Sequence, residues 1–185
     1  PDIAKHNVKW FLSMGLTSEM VAREYKQKRE DLDVFAANSV AKAVHAIENG
    51  YFKDQIVPIT VKENYYQNGK MKYRESIFDT DEGPRKGTTA QGLSKLRPAF
   101  AADGISTAGN SSQMSDGAAF VLVVSEQALK DYNLTPIARL VDYQVAGVEP
   151  YKMGVGPIAA IPKVLKHAGM KMNDIDLFEL NEAFA

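Results

Sequence analysis

Ile175-Asp176-Leu177-Phe178-Glu179-Leu180-Asn181-Glu182-Ala183-Phe184-Ala185 is the stretch whose reading decides the fold. Ile175, Leu177 and Leu180 give its first half the character of a buried strand, and Asn181-Glu182 then sets polar side chains at the strand's carboxyl end. Open α/β sheets place their ligands at that edge. An Asn-Glu pair followed by small and aromatic residues therefore looks like the entrance to an active site. No turn, cap or polar tail follows, so the stretch reads as part of a longer protein cut inside a functional motif. Pro1 in place of an initiator Met points the same way.

Working upstream, the segments alternate. Residues 118–124 read as a buried strand, and Ser125 as the N-cap of a helix to about Tyr132. A second strand is expected within 136–148, carried by Ile137, Leu140, Val141 and Val145. Pro157, at the first position of the next helix, opens a run to about Ala168 with Pro162 in its second turn. Strand, helix, strand, helix, strand after residue 105 implies a layered α/β sheet.

Before residue 105 the texture differs. Thr17 is a plausible N-cap for a helix from Ser18 to about Lys26. A clearer helix is expected over 30–49, where Leu32, Phe35, Ala36, Val40, Ala43, Val44 and Ile47 follow a 3.6-residue period and Gly50 stands at the C′ position. His45 lies beside that stripe as a surface or boundary residue. Residues 55–61 are β-rich but broken by Pro58, as in an edge strand. Asn68-Gly69, between Tyr65-Tyr66 and 71–73, predicts a type I′ hairpin over 61–74. Residues 79–100 read as a long irregular excursion, and such loops often carry function.

Composition narrows the class. The 185 residues are 45% hydrophobic and 24% charged with a net charge of −1, the balance of a globular domain or a domain and a half. Scattered Lys and Arg give no bulk attraction for nucleic acid or an anionic membrane. The apolar run 118–124 is far too short to span a bilayer. With no cysteine, these residues contain no disulfide, thiol nucleophile or Cys-based metal site, and His6, His45 and His167 lack ligand spacing. No metal is expected.

Thr107-Ala108-Gly109-Asn110-Ser111-Ser112-Gln113-Met114-Ser115-Asp116-Gly117 packs small hydroxyl and amide side chains between two glycines. Such a loop lets a backbone or polar ligand come close; the bland alternative, a turn with Asx and Ser caps, carries equal weight. A serine hydrolase would need an elbow motif and a placed histidine that Ser111 and Ser112 do not have. Residues 153–157 before a helix suit a phosphate only weakly, since Pro157 removes an amide. Arg85, Lys86, Lys95 and Arg97 are either anion contacts or solvated charges. Asn181 can fix a water or donate to a developing oxyanion, or simply cap the strand.

Six of these stretches, in order, resemble the thiolase family, close to the 3-ketoacyl-CoA thiolases and acetyl-CoA acetyltransferases. They are residues 14–19, 52–58, 95–100, 107–119, 153–157 and 181–185. The resemblance implies a layered αβαβα fold in two similar halves. Residues 1–104 would hold the loop domain that covers coenzyme A and the end of the N-terminal half; residues 105–185 would begin the C-terminal half. It implies ping-pong acyl transfer from 3-ketoacyl-CoA through a cysteine, helped by a second cysteine and a Gly-His-Pro histidine, all outside these residues. Asn181 then matches the asparagine holding an oxyanion-hole water, Ser112 a serine on the pantetheine arm, and Arg85 an arginine at the adenine and phosphate end. Ala108, Met153, Ala183 and Phe184 match positions lining the pantetheine channel or acyl pocket. CoA would be a substrate with no permanently bound cofactor. The whole protein would be a homodimer or homotetramer, cytoplasmic in a bacterium and mitochondrial or peroxisomal in a eukaryote. Ser13 and Gly92 replace a histidine and a serine common in biosynthetic members, which favours a degradative β-oxidation role. The rival expectation is a non-catalytic thiolase-like binder of acyl-CoA or lipid.

Overall fold

A computed structural model describes residues 2–185. After a short helix α1 (Asp2–His6) and a 3-10 turn (Val8–Phe11), helix α2 runs Met14–Glu24. Its cap is Ser13, whose hydroxyl accepts from the Leu16 amide at 3.4 Å, and not the expected Thr17. A Ser one turn upstream satisfies an orphan amide first. Thr17 is instead buried inside the helix, donating to the Met14 carbonyl at 2.8 Å.

Helix α3 spans Arg29–Glu48 and ends as its sequence predicts. Gly50 takes φ +72, with Tyr51 N donating to the Ala46 carbonyl and Gly50 N to that of Ile47, the paired bonds of a Schellman close. Strands β1 (Ile59–Gln67) and β2 (Lys70–Phe78) form an antiparallel hairpin in which Gln67 faces Lys70 across Asn68 (φ +51) and Gly69 (φ +73). Both turn residues are left-handed, the type I′ geometry that matches strand twist. Residues 55–57 lie outside the ladder, which starts just past Pro58. The excursion that follows contains one helical turn, α4 (Ala90–Leu93), capped by the Thr89 hydroxyl.

Helix α5 (Glu126–Asp131) is capped by the Ser125 hydroxyl, which accepts from Ala128 N at 3.1 Å. A 3-10 segment (Pro150–Val155) leads into α6 (Gly156–Ala168), and a last 3-10 turn covers Met172–Asp174. The helices of the C-terminal part thus agree with expectation; its strands do not. Among the described residues the only sheet is β1–β2. Segments 118–124, 136–148 and 175–180 have the apolar content of buried strands, yet Phe120 is 97% exposed and Leu177 80%. A strand needs a neighbour to take its backbone hydrogen bonds, and no described segment of this chain pairs with these three.

The core lies where α2, α3, α4 and residues 104–110 meet. Ala22, Leu32, Ala36 and Leu93 are its buried apolar members. Its polar members are all bonded: the Glu19 carboxylate accepts from the amides of Ile105 and Ser106, and Ser18 and Ser106 share a hydroxyl contact of 3.0 Å. That agrees with the rule that buried polar groups find partners. No described helix is long and apolar enough to cross a membrane.

Candidate functional site

The loop 105–112 is held from three sides. Arg29 Nε donates to Asp33 at 2.7 Å, and its Nη2 donates to the carbonyls of Leu93 and Leu96. Asp33, only 1% exposed, accepts from Asn110 Nδ2 at 3.0 Å, which also donates to the Ile105 carbonyl. Asn110 Oδ1 in turn accepts from Thr107 N at 2.6 Å. Gly109 is required by close approach: a Cβ there would stand 2.5 Å from Leu93 Cδ2 and 2.6 Å from Leu96 Cδ1.

Onto this fixed loop the C-terminal motif is stitched as a short antiparallel bridge. Ser111 pairs with Phe184, Ser112 N donates to the Ala183 carbonyl at 2.9 Å, and Ala185 N donates to the Asn110 carbonyl at 3.0 Å. The Phe184 ring meets Phe100 edge-on at 5.9 Å. Between the bridge and α3 opens a cavity of about 380 Å³, walled by Phe35, Ser39 and Val40 on one side and by Ser112, Gln113 and Glu182 on the other. Ser39 reaches across it, its hydroxyl donating to Glu182 Oε2 at 2.6 Å. The Ser111 hydroxyl is buried with no hydrogen-bond partner among the described residues.

A second cavity of about 300 Å³ lies further along α3, lined by Val40, Val44, His45 and Glu48 opposite Arg85 and Thr88. Val40 borders both, so the two cavities adjoin along a single helix. Glu48 takes the Lys86 ammonium at 2.5 Å, and that hydrogen bond, with its charge, raises the Lys86 pKa. Arg85 has no such carboxylate partner among the described residues.

The structure therefore brings Ser112, Ala183 and Phe184 together and sets Arg85 in the adjoining cavity. Asn181 is exposed one residue before the cavity wall. Ala108, Met153, Ala183 and Phe184 line neither cavity; Met153 lies in the 3-10 segment, where Lys152 bonds Glu24 and Glu149 and so ties that segment to α2. Those contacts hold the Lys152 ammonium well above its ordinary pKa. Sequence reasoning missed Asp33, Asn110, Ser39 and Glu182 as a group. Asp33 offered one signal, a carboxylate flanked on its helix face by Leu32 and Ala36 and four residues after Arg29.

The family description "Thiolase, N-terminal domain" matches residues 4–127, and "Thiolase, C-terminal domain" matches residues 134–185. The chain belongs to the thiolase family. A 3-ketoacyl-CoA thiolase of Bacillus subtilis is 46% identical over 184 residues, covering 99% of this chain and 47% of that protein. The crystal structure of a Bacillus anthracis acetyl-CoA acetyltransferase superposes with a TM-score of 0.85 at 46% identity, over 94% of this chain and 42% of that one. The dimeric peroxisomal thiolase of Saccharomyces cerevisiae gives 0.84 at 47% identity, over 95% and 42%. These likenesses establish the thiolase-like α/β fold despite the unpaired segments. The chain spans somewhat less than half the length of the thiolases it matches.

Proposed function

We propose that this stretch belongs to an acetyl-CoA C-acyltransferase, a 3-ketoacyl-CoA thiolase, and supplies its CoA groove and one oxyanion-hole residue. One observation carries the reading: the Ser112–Ala183 bridge joins the polar loop and the C-terminal motif into one wall of a cavity that adjoins the one at Arg85. The groove is about the volume of a small-ligand site, apolar along α3 with a few convergent polar groups. It suits a long thin molecule with an anionic end.

In the reaction, a cysteine thiolate from outside these residues attacks the C3 ketone of the 3-ketoacyl-CoA. The C2–C3 bond breaks, the acyl group stays on sulfur, and the acetyl-CoA enolate is protonated and leaves. A second CoA, as thiolate, attacks the acyl-enzyme, releasing the shortened acyl-CoA and restoring the cysteine. Asn181 holds the water that donates to the developing oxyanion. Ser112 hydrogen-bonds the pantetheine arm, and Arg85 meets the phosphate end. By the family resemblance Ala108, Met153, Ala183 and Phe184 take positions of the pantetheine channel or acyl pocket, outside the lining of both cavities.

The division into a CoA-covering part (residues 1–104) and the start of the C-terminal half (105–185) belongs to the same proposal. So do assembly as a homodimer or homotetramer and a cytoplasmic, mitochondrial or peroxisomal setting. The dimeric peroxisomal thiolase of Saccharomyces cerevisiae supports a dimer and a peroxisomal setting by similarity alone. No role with nucleic acid and no membrane insertion is assigned.

The test is thiolysis of acetoacetyl-CoA and a longer 3-ketoacyl-CoA by the purified whole protein, with alkylation of its cysteines as control. CoA-dependent acetyl-CoA release, abolished by alkylation, is the expected result. Tight acyl-CoA binding without turnover would favour the non-catalytic thiolase-like binder, in which the nucleophilic cysteine is replaced.

A further inference from the structure

We propose that Ser39 is a positioning residue for the C-terminal motif: its hydrogen bond to Glu182 sets where Asn181 stands. This inference rests on the thiolase reading of Asn181. The bond joins residues 143 apart in sequence, from the middle of α3 to the opposite wall of the larger cavity. It is the only side-chain hydrogen bond made by residues 181–185 among those described.

Its place in the motif gives it leverage. Residues 183–185 are fixed by the backbone bridge to 110–112. Residues 175–180 pair with no strand among the described residues. Asn181 stands between the two, and the tie at Glu182 is the anchor nearest to it in the chain. The donor, by contrast, sits on a rigid base. Asp33, Ala36 and Ser39 follow at three-residue steps along α3, each one turn from the next. The first two are buried in the core, Asp33 through Arg29 and Asn110. A serine has one rotatable bond before its oxygen, so the helix transmits its position to Glu182 with little slack.

An exposed hydrogen bond to a carboxylate often contributes little to global stability. Positioning is a different matter, because misplacement of a reacting group by about 1 Å can cost on the order of 100-fold in rate. The structure thus assigns Ser39–Glu182 an effect on turnover larger than its effect on folding.

The experiment uses the whole protein carrying Ser39→Ala, Glu182→Ala, the double change, and Glu182→Gln, which keeps an oxygen acceptor. Thiolysis kcat, KM for CoA and the thermal midpoint are measured for each. Hydrogen exchange of the peptide spanning 178–185 is followed by mass spectrometry. The expected result is a roughly tenfold fall in kcat for each alanine variant, with KM for CoA changed less than about twofold and the midpoint nearly unmoved. The double variant should be no slower than the worse single, since both remove one interaction. Glu182→Gln should recover most of the rate, and exchange in 178–185 should quicken in both alanine variants.

Additive losses in the double variant, or unchanged exchange in the alanine variants, would overturn the proposal. If the parent protein does not turn over, the thiolase reading falls, and the exchange measurement still decides whether Ser39 fixes the motif.

Discussion

Asp33→Ala should be the most damaging single change among the described residues. The carboxylate is buried beside Arg29, with side-chain exposures of 2% and 18%, so truncation leaves a mostly buried guanidinium without its carboxylate. Removing one partner of a buried ion pair costs roughly 3–5 kcal/mol. Arg29 keeps the Leu93 and Leu96 carbonyls, and Asn110 keeps that of Ile105, which moves the expectation to the lower end, about 3 kcal/mol. That is on the order of a 100-fold fall in the population ratio of closed to open forms. The assay is hydrogen exchange on the whole protein, read on the peptide covering 105–110, where the Thr107 amide bonds Asn110 of this cluster and those of Ile105 and Ser106 bond Glu19 beside it. A companion, Arg29→Met with Asp33→Leu, removes both charges and should lose less than the single variant, because no unpaired ion remains. Protection within about 1 kcal/mol of the parent in Asp33→Ala would refute the reasoning. So would a double variant as weak as the two losses summed.

Arg85→Gln should raise KM for CoA several-fold at low salt with kcat nearly unchanged, and the difference should shrink as ionic strength screens the contact; equal salt dependence in both proteins would count against Arg85 as the anion contact. Gly109→Ala forces the Leu93 and Leu96 side chains apart and should destabilise the loop by about 1–3 kcal/mol, seen as a lower thermal midpoint; an unchanged midpoint would show that the leucines relax freely. Asp142 accepts from His167 Nδ1 at 2.6 Å, and this hydrogen bond holds its carboxyl below the usual 3.8. A depressed carboxyl contributes its stability above the unfolded pKa and loses it as pH falls through the folded one. Acid unfolding should therefore begin at higher pH in Asp142→Asn, measured by circular dichroism from pH 5 downward; coincident acid transitions would remove the pair from the account.

What was legible in the sequence was local. The stripe from Leu32 to Ile47 with Gly50 after it, and Asn68-Gly69 between two β-rich runs, encode their structures within a few residues, and α3 and the hairpin follow. The capping of α2 failed at the same range because Ser13 and Thr17 compete and the earlier hydroxyl engages. The segments around Phe120, Leu140 and Leu177 show the opposite limit. Their apolar content is that of strands, but pairing depends on which residues lie alongside, and periodicity says nothing about that. The site divides in the same way. Ser112, Ala183 and Phe184 stand in recognisable stretches and are brought together by the bridge. Asp33–Asn110 and Ser39–Glu182 join residues 77 and 143 apart, so neither pair leaves a mark at any one place in the chain.

The bridge between Ser112 and Ala183 also sets an order of events at the ribosome. One wall of the groove, α3, lies early in the chain, and the strand that closes it comes more than a hundred residues later. At synthesis rates of about 5–20 residues per second, the helix waits roughly ten seconds for its other wall. During that interval the hydroxyl of Ser39 and the loop at 110–112 face water, and the cavity between them has no second wall. Closure of that cavity therefore reports that residues 181–185 have arrived and docked on the loop at 110–112.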